Sequence, residues 1–231
     1  MKRTLLNMYM FILFASFLSC AGTKPSAEKE VEKPLIVEEK EVSLSFEEQK
    51  NGSLELFNKI LELSKDDVRQ ANLDVIVGFY IRIINNYPDA PLAQESYMRL
   101  IGVYLRDYSP PREDEVMVLY RYFKSRYPES PLKNAIEDSI SRHYYRKKKW
   151  DELENFVTPY IKEFIKTGEL KKPNHLFYFS EAKFNKNNYK EAYKGYSIII
   201  KKFPRSRDAK TSIQRLEVIR KAIAERNRKA E

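Results

Sequence analysis

Residues 188–206 read NYKEAYKGYSIIIKKFPRS, and the pattern in this stretch predicts the architecture of the chain. Four of its residues recur at spacings of three, four and three, which places them on one face of an α-helix: Tyr189, Ala192, Tyr196 and Ile199. Pro204 ends the helix after Phe203, because proline lacks a backbone N–H and disfavours helical geometry in the residue before it. The small side chain of Ala192 allows a neighbouring helix to approach closely.

The same arrangement recurs upstream, where an aromatic residue and a proline again close an aromatic-rich helical run. The three junctions are Tyr87-Pro88-Asp89-Ala90-Pro91, Tyr127-Pro128-Glu129-Ser130-Pro131 and Phe203-Pro204-Arg205-Ser206. An aromatic residue precedes each first proline by eight positions: Tyr80, Tyr120 and Tyr196. Pro88 and Pro128 are about 40 residues apart, and Pro204 follows about two further periods later. The repeat between them lacks its proline but keeps Trp150, Leu153 and Val157 on a helical face.

These helices resemble the second helix of a tetratricopeptide repeat (TPR), which combines a small residue, an aromatic residue and a closing proline over a period of about 34 residues. The resemblance implies an all-α fold, an α-solenoid of about four TPR-like helix pairs followed by a C-terminal capping helix. The composition agrees, because 6 Gly beside 16 Tyr and 13 Phe in 231 residues suits stacked helices better than tightly turning strands.

We predict that the helical domain occupies residues 51–231. The expected helices are Ser53–Leu63, Val68–Tyr87, Pro91–Arg106, Glu113–Tyr127, Pro131–Lys149, Trp150–Lys166, Pro173–Asn185, Tyr189–Phe203 and Arg207–Arg228. The last helix has only a narrow apolar stripe, which is typical of a segment that caps a solenoid.

Residues 1–19 are predicted to be a lipoprotein signal peptide. Lys2 and Arg3 precede an apolar run from Leu5 to Leu18 that is too short to span a membrane comfortably. Cys20, the one cysteine, follows Ser19 in a stretch that resembles a bacterial lipobox. The resemblance implies a palmitate-bearing anchor at Cys20. An uncleaved N-terminal anchor, or an ordinary signal peptide with Cys20 as a bystander, remains open.

Residues 20–50 are predicted to form the lipidated cysteine and a disordered tether. The tether is rich in Glu, Lys, Pro and Ser and low in bulky apolar residues, so it cannot bury enough surface to offset the entropy of ordering.

The sequence contains no pattern that indicates catalysis or a cofactor. No Gly-rich phosphate loop is present, and neither His143 nor His175 has a second ligand at metal spacing. We therefore predict no catalytic residues, no metal, no cofactor and no small-molecule substrate. The net charge of +9 is concentrated near Arg142–Lys149 and in residues 201–231. An exported lipoprotein rarely meets nucleic acid, so anionic headgroups, an acidic protein or plain solvation are the readings of these clusters.

A lipidated, exported chain of helix pairs with such junctions resembles the BamD-like outer-membrane assembly lipoproteins. The resemblance implies a periplasm-facing scaffold on the outer membrane that binds proteins of β-barrel assembly. A TPR scaffold of another envelope process, such as Tol-Pal and cell division, secretion or gliding, is the alternative. The predicted partners are envelope proteins, with the membrane reached through the lipid anchor.

The inner helices of such a solenoid are expected to bind an extended, apolar or aromatic-rich peptide. Counting from Pro128 and Pro204, the residues predicted to face it are Ile101, Leu105, Arg142, Tyr145, Phe177, Glu181 and Phe184. The alternative is that Phe177 and Phe184 are interhelix core.

Overall fold

The computed structural model describes residues 44–65, 68–170 and 172–229. These residues form α1 (Phe46–Leu63), α2 (Leu73–Asn86), α3 (Pro91–Arg106), α4 (Glu113–Arg126), α5 (Lys133–Arg146), α6 (Trp150–Thr167), α7 (Asn174–Asn185), α8 (Tyr189–Lys202) and α9 (Arg207–Arg228). The described residues contain no β-strand. The predicted signal peptide, Cys20 and the tether up to residue 43 lie outside them.

The nine helices of the described chain stack as a two-layer α-solenoid, which confirms the predicted fold class. Each odd-numbered helix packs against the next odd-numbered helix, from α1 to α9. No two even-numbered helices pack to a comparable extent in the described residues. The odd-numbered helices therefore form the closely packed inner layer, and α2, α4, α6 and α8 form the outer layer.

All four outer helices carry a tyrosine eight residues before the residue that ends the repeat. In three of them the chain leaves the helix at Pro88, Pro128 or Pro204, as predicted. In α6 the terminator is Gly168, whose left-handed backbone (φ 72°) a glycine adopts without steric cost. Tyr160 precedes Gly168 by eight residues, so the repeat without a proline keeps the same register.

Helix α1 begins at Phe46, not at the predicted Ser53. The reason is a capping box, in which the backbone N–H of Glu48 bonds to the Ser45 hydroxyl and the Glu48 carboxylate accepts from the Ser45 backbone N–H. Gln49 is buried, and its side chain accepts from the backbone N–H of Asp89 at 2.9 Å. Folded structure therefore extends into the predicted tether. Helix α2 begins at Leu73, later than the predicted Val68.

Helices α7 and α8 pack closely, and small residues lie at their contact. Ala192 is fully buried, as expected for a small residue at a helix contact. One turn later, a Cβ added to Gly195 would lie 2.0 Å from Ser180 Oγ. Small residues at these two positions therefore set the distance between the two helices.

The boundary between α4 and α5 differs from the other steps between repeats. Helix α4 packs closely on α3 but not on α5 in the described chain, whereas α2, α6 and α8 each pack closely on the helix that follows. Large side chains bridge the space instead. The Tyr120 hydroxyl donates to Glu137 at 2.6 Å, and the Lys149 ammonium lies 2.6 Å from the Glu113 carboxylate.

Candidate functional site

A cleft of about 520 Å³ opens between the inner helices α3 and α5. Its lining residues are Leu105, Arg106, Ala135, Asp138, Ser139, Arg142, His143, Arg146 and Lys147. Two residues that the sequence predicted for partner binding, Leu105 and Arg142, therefore lie together in this cleft. Leu105 is buried, whereas Arg142 is exposed.

The cleft is strongly basic. Arg106, Arg146 and Lys147 are exposed, and none of them forms an ion pair with another residue in the described ranges. Arg142 adds a fourth cation, and Asp138 is the one carboxylate among the lining residues that the structure describes. The excess of positive charge gives the cleft a preference for an anionic ligand.

Arg142 is held in place by contacts that cross from α5 to α7. It pairs with Asp138, which also accepts a hydrogen bond of 3.3 Å from the Tyr178 hydroxyl. Contact with Tyr178 and the charge of Asp138 raise the pKa of Arg142 above its ordinary value. The guanidinium therefore stays charged at every physiological pH.

A second ion-paired group fixes the end of the cleft next to α4. His143 is buried, and its Nε2 lies 2.9 Å from Oε1 of Glu113, while Lys149 Nζ lies 2.6 Å from Oε2. Burial acts to raise the pKa of Glu113, but hydrogen bonds from Lys149 and His143 outweigh it and lower that pKa. The carboxylate thus stays ionised and joins α4 to the end of α5.

Four of the seven residues predicted on the peptide-binding face are core residues: Ile101, Leu105, Phe177 and Glu181. Tyr145 and Phe184 are partly buried and pack against the core, and Arg142 alone is exposed. An inner helix has neighbours in its own layer and in the outer layer, so more than one of its faces is covered. The exposed surface beside Arg142 is consequently basic, not apolar as the sequence predicted.

Glu181 is the centre of a buried polar network. Its carboxylate is fully buried and receives Nε and Nη2 of Arg215, both at 2.8 Å. The hydroxyls of Tyr196 and Tyr145 donate to it at 2.7 and 3.2 Å. Burial raises the pKa of Tyr196, so its hydroxyl keeps its proton. With these donors the buried charge is compensated, and Glu181 links α7 to α5, α8 and α9.

A second buried carboxylate, Glu137 on α5, lies at a cavity of about 620 Å³ near the Pro128 junction. It accepts from Tyr120 at 2.6 Å and from Tyr160 at 2.7 Å. His175 stacks on Tyr160 with ring centroids 4.0 Å apart, and its Nε2 lies 3.4 Å from Glu137 without forming a hydrogen bond. Burial lowers the pKa of His175, so the ring is neutral at pH 7 and this approach is not an ion pair.

Sequence reasoning missed three members of these networks. Tyr160 had a usable signal, because it follows Tyr120 by one 40-residue period. Glu137 and Arg215 had none, because their partners Tyr160 and Glu181 are 23 and 34 residues away. Without the fold, a charged residue on a helix is expected to be exposed, because the sequence does not show that distant partners will bury and pair with it.

The described part of the chain shows neither a metal centre nor a membrane span. No group of three or more His, Cys, Asp or Glu side chains is placed to hold a metal ion. No described helix is both long and apolar enough to cross a membrane.

No family model and no curated protein sequence matches the chain. Among solved structures, the chain is similar to a tetratricopeptide repeat protein from Parabacteroides merdae, with a TM-score of 0.52 and 17% sequence identity. The likeness covers 77% of this chain and 64% of that protein, less than two thirds of its length. At this identity the likeness shows the fold alone: the chain is an all-α solenoid with the architecture of tetratricopeptide repeats.

Proposed function

We propose that the chain is a scaffold of the bacterial cell envelope, anchored to the outer membrane by a lipid on Cys20, whose α3–α5 cleft binds an extended acidic segment of a protein partner. The process we propose is β-barrel assembly, because the lipobox-like stretch and the repeat junctions resemble the BamD-like lipoproteins. A scaffold of another envelope process is the second candidate, since the same stretch and junctions fit it as well.

The observation that carries the binding proposal is the charge of the cleft. Arg106, Arg146 and Lys147 have no ion-pair partner in the described ranges, and they surround a cleft whose wall includes the buried Leu105. Three such cations in one concavity attract a carboxylate-rich segment and repel a basic one. An apolar ligand would leave these charges without compensation, which disfavours it.

The experiment is charge reversal in the full-length chain. Arg106→Glu with Arg146→Glu removes the attraction, and Arg121→Glu with Lys162→Glu is the matched control, because these exposed residues lie on the outer helices α4 and α6. After crosslinking in cells, the cleft variant is expected to recover at least about tenfold less partner than the parent. The control is expected to recover as much as the parent.

If the cleft variant and the control variant recover equal amounts of partner, the cleft is not the binding site. The identity of the crosslinked proteins then separates the two candidate processes. Proteins of the barrel-assembly machinery support the first, and proteins of division, secretion or gliding support the second.

A further inference from the structure

In the described residues, the last inner helix of the solenoid has no outer helix beside it. Each of the inner helices α3, α5 and α7 packs against an outer helix that follows it in the chain. Helix α9 is also an inner helix, since it packs on α7 and α8, but no further helix follows it within the described residues. The face that would receive that helix is open.

The repeat register identifies the open face. Tyr97, Glu137 and Ile213 each lie seven residues after the equivalent junction residues Ala90, Ser130 and Ser206. Tyr97 packs on Phe123 of α4 with ring centroids 5.6 Å apart, and Glu137 accepts from Tyr160 of α6 at 2.7 Å. This position therefore contacts the next outer helix, and Glu137 also contacts the preceding one through Tyr120 of α4.

Within the described residues, Ile213 has no such helix to pack against and is 49% exposed, whereas Tyr97 is 3% exposed. A position that is buried in the repeat of α3 is therefore open to a ligand on α9.

Two adjoining cavities of about 330 and 700 Å³ run along this face between α8 and α9 and share Tyr193. Ile213 lies in one cavity and Ile223, 46% exposed, lies in the other, while the buried Leu216 lines the first. At about 1.5 Å per residue, Ile213 and Ile223 are about 15 Å apart along α9, or about three helical turns. The groove thus has the length and the apolar lining that one side of a short helix needs.

The rim of the groove is basic. Lys190, Lys194, Arg220 and Arg226 line the two cavities, and among the described residues of their linings Glu217 alone is acidic. A second copy that presented the same face would bring two basic rims together, which disfavours a symmetric dimer here. Charge complementarity favours a helix whose apolar stripe is flanked by Asp and Glu.

We propose that the α8–α9 face binds an amphipathic helix with acidic flanks, supplied by a protein partner, which packs at the place that an outer helix takes in the earlier repeats. The apolar stripe of that helix covers Ile213, Ile223 and Tyr193. Its acidic residues pair with the basic rim. This site lies on α8 and α9, so it is separate from the α3–α5 cleft.

The test uses the full-length chain and a fluorescein-labelled peptide of about four helical turns, with Leu at helical spacing and Glu elsewhere. One control peptide has the same composition in scrambled order, and a second has Lys in place of Glu. The parent is expected to bind the first peptide at least about tenfold more tightly than either control, by fluorescence anisotropy. Equal binding of all three peptides would overturn the proposal.

Variants locate the bound peptide. Ile213→Gln with Ile223→Gln is expected to weaken binding by at least about tenfold. Val75→Gln with Val218→Gln is the matched control, because both valines are exposed but lie outside the groove, and it is expected to bind as the parent does.

Circular dichroism melting verifies that all variants are folded. Unchanged binding by the Ile213/Ile223 variant overturns the site. The proposal is also overturned if the parent self-associates in sedimentation velocity and the Ile213/Ile223 variant does not. The face would then be an interface between copies of the chain.

Discussion

Arg215 on α9 holds the fully buried carboxylate of Glu181 on α7 with two hydrogen bonds of 2.8 Å. Arg215→Ala is therefore expected to destabilise the chain by about 3–5 kcal/mol, because it leaves a buried carboxylate without its cation. Lys210→Ala, at an exposed position of the same helix, is expected to change stability by less than about 0.5 kcal/mol. Urea unfolding followed by circular dichroism measures both.

The same pair gives a stricter check. Replacement of both partners by apolar residues, Glu181→Met with Arg215→Met, is expected to be less destabilising than Arg215→Ala, because no buried charge remains. A double variant less stable than the single one would show that the pair contributes through packing or specific geometry and not through charge compensation.

Two glycines in helices respond oppositely to alanine. A Cβ at Gly195 would lie 2.0 Å from Ser180 Oγ, which is held by its hydrogen bond of 2.7 Å to the Leu176 carbonyl. Gly195→Ala is expected to cost about 1–3 kcal/mol through overpacking. Gly78→Ala on α2, where no atom lies within 4 Å, is expected to gain about 0.5–1 kcal/mol from helix propensity. Thermal unfolding measures both effects. Melting temperatures that shift in the same direction for Gly195→Ala and Gly78→Ala would contradict this packing.

Acidification is expected to weaken the fold through His175. Burial lowers the pKa of this histidine from the ordinary 6.5, so the unfolded chain binds a proton more readily than the folded chain. Stability is therefore full above pH 6.5 and falls as the pH drops below 6.5 toward the lowered pKa of the folded state.

His175→Gln is expected to flatten the dependence of unfolding free energy on pH just below 6.5, measured in urea. The pKa of Glu113 is also lowered in the folded chain, from its ordinary value of 4.5. The stability that this carboxylate contributes is therefore lost only below pH 4.5, outside the range in which His175 acts. An unchanged slope in the histidine variant would assign the acid sensitivity to other groups.

Cys20→Ser is expected to abolish lipidation and to move the protein from the membrane fraction to the soluble fraction. The physical reason is that the tether predicted after Cys20 has no apolar face of its own to hold a membrane. Palmitate labelling and fractionation measure the two effects, with Ser19→Ala as a control that keeps a small residue before the cysteine. Labelling of the serine variant would place the lipid elsewhere.

Several helix starts were predictable from sequence, including those of α8 and α9, which the side chains of Asn188 and Ser206 cap, whereas the capping box at the start of α1 was not recognised. Pro91 and Glu113 were predicted as the first residues of α3 and α4, and they are. The start of α1 was missed although Ser45 and Glu48 have capping-box spacing, because the surrounding composition indicated a tether.

The candidate site was less predictable than the fold. Phe177, Glu181 and Phe184 do share one helical face, as their spacing requires, but that face packs against neighbouring helices. Sequence spacing shows which residues of a helix lie together, and not which of several covered faces they form. The basic cleft depends on Arg106 and Arg146, which are 40 residues apart and one repeat from each other.

Because α4 does not pack closely on α5, we expect the solenoid to bend more easily at this boundary than at its other steps. Elsewhere, closely packed helices resist bending because interdigitated side chains must separate. Here Tyr120, Glu137 and Tyr160 meet through hydroxyl and carboxylate groups, which can exchange partners during a small rotation. Elastic strain imposed by a bound partner would concentrate at this joint, and the two halves of the repeat array would bend about it as nearly rigid arms.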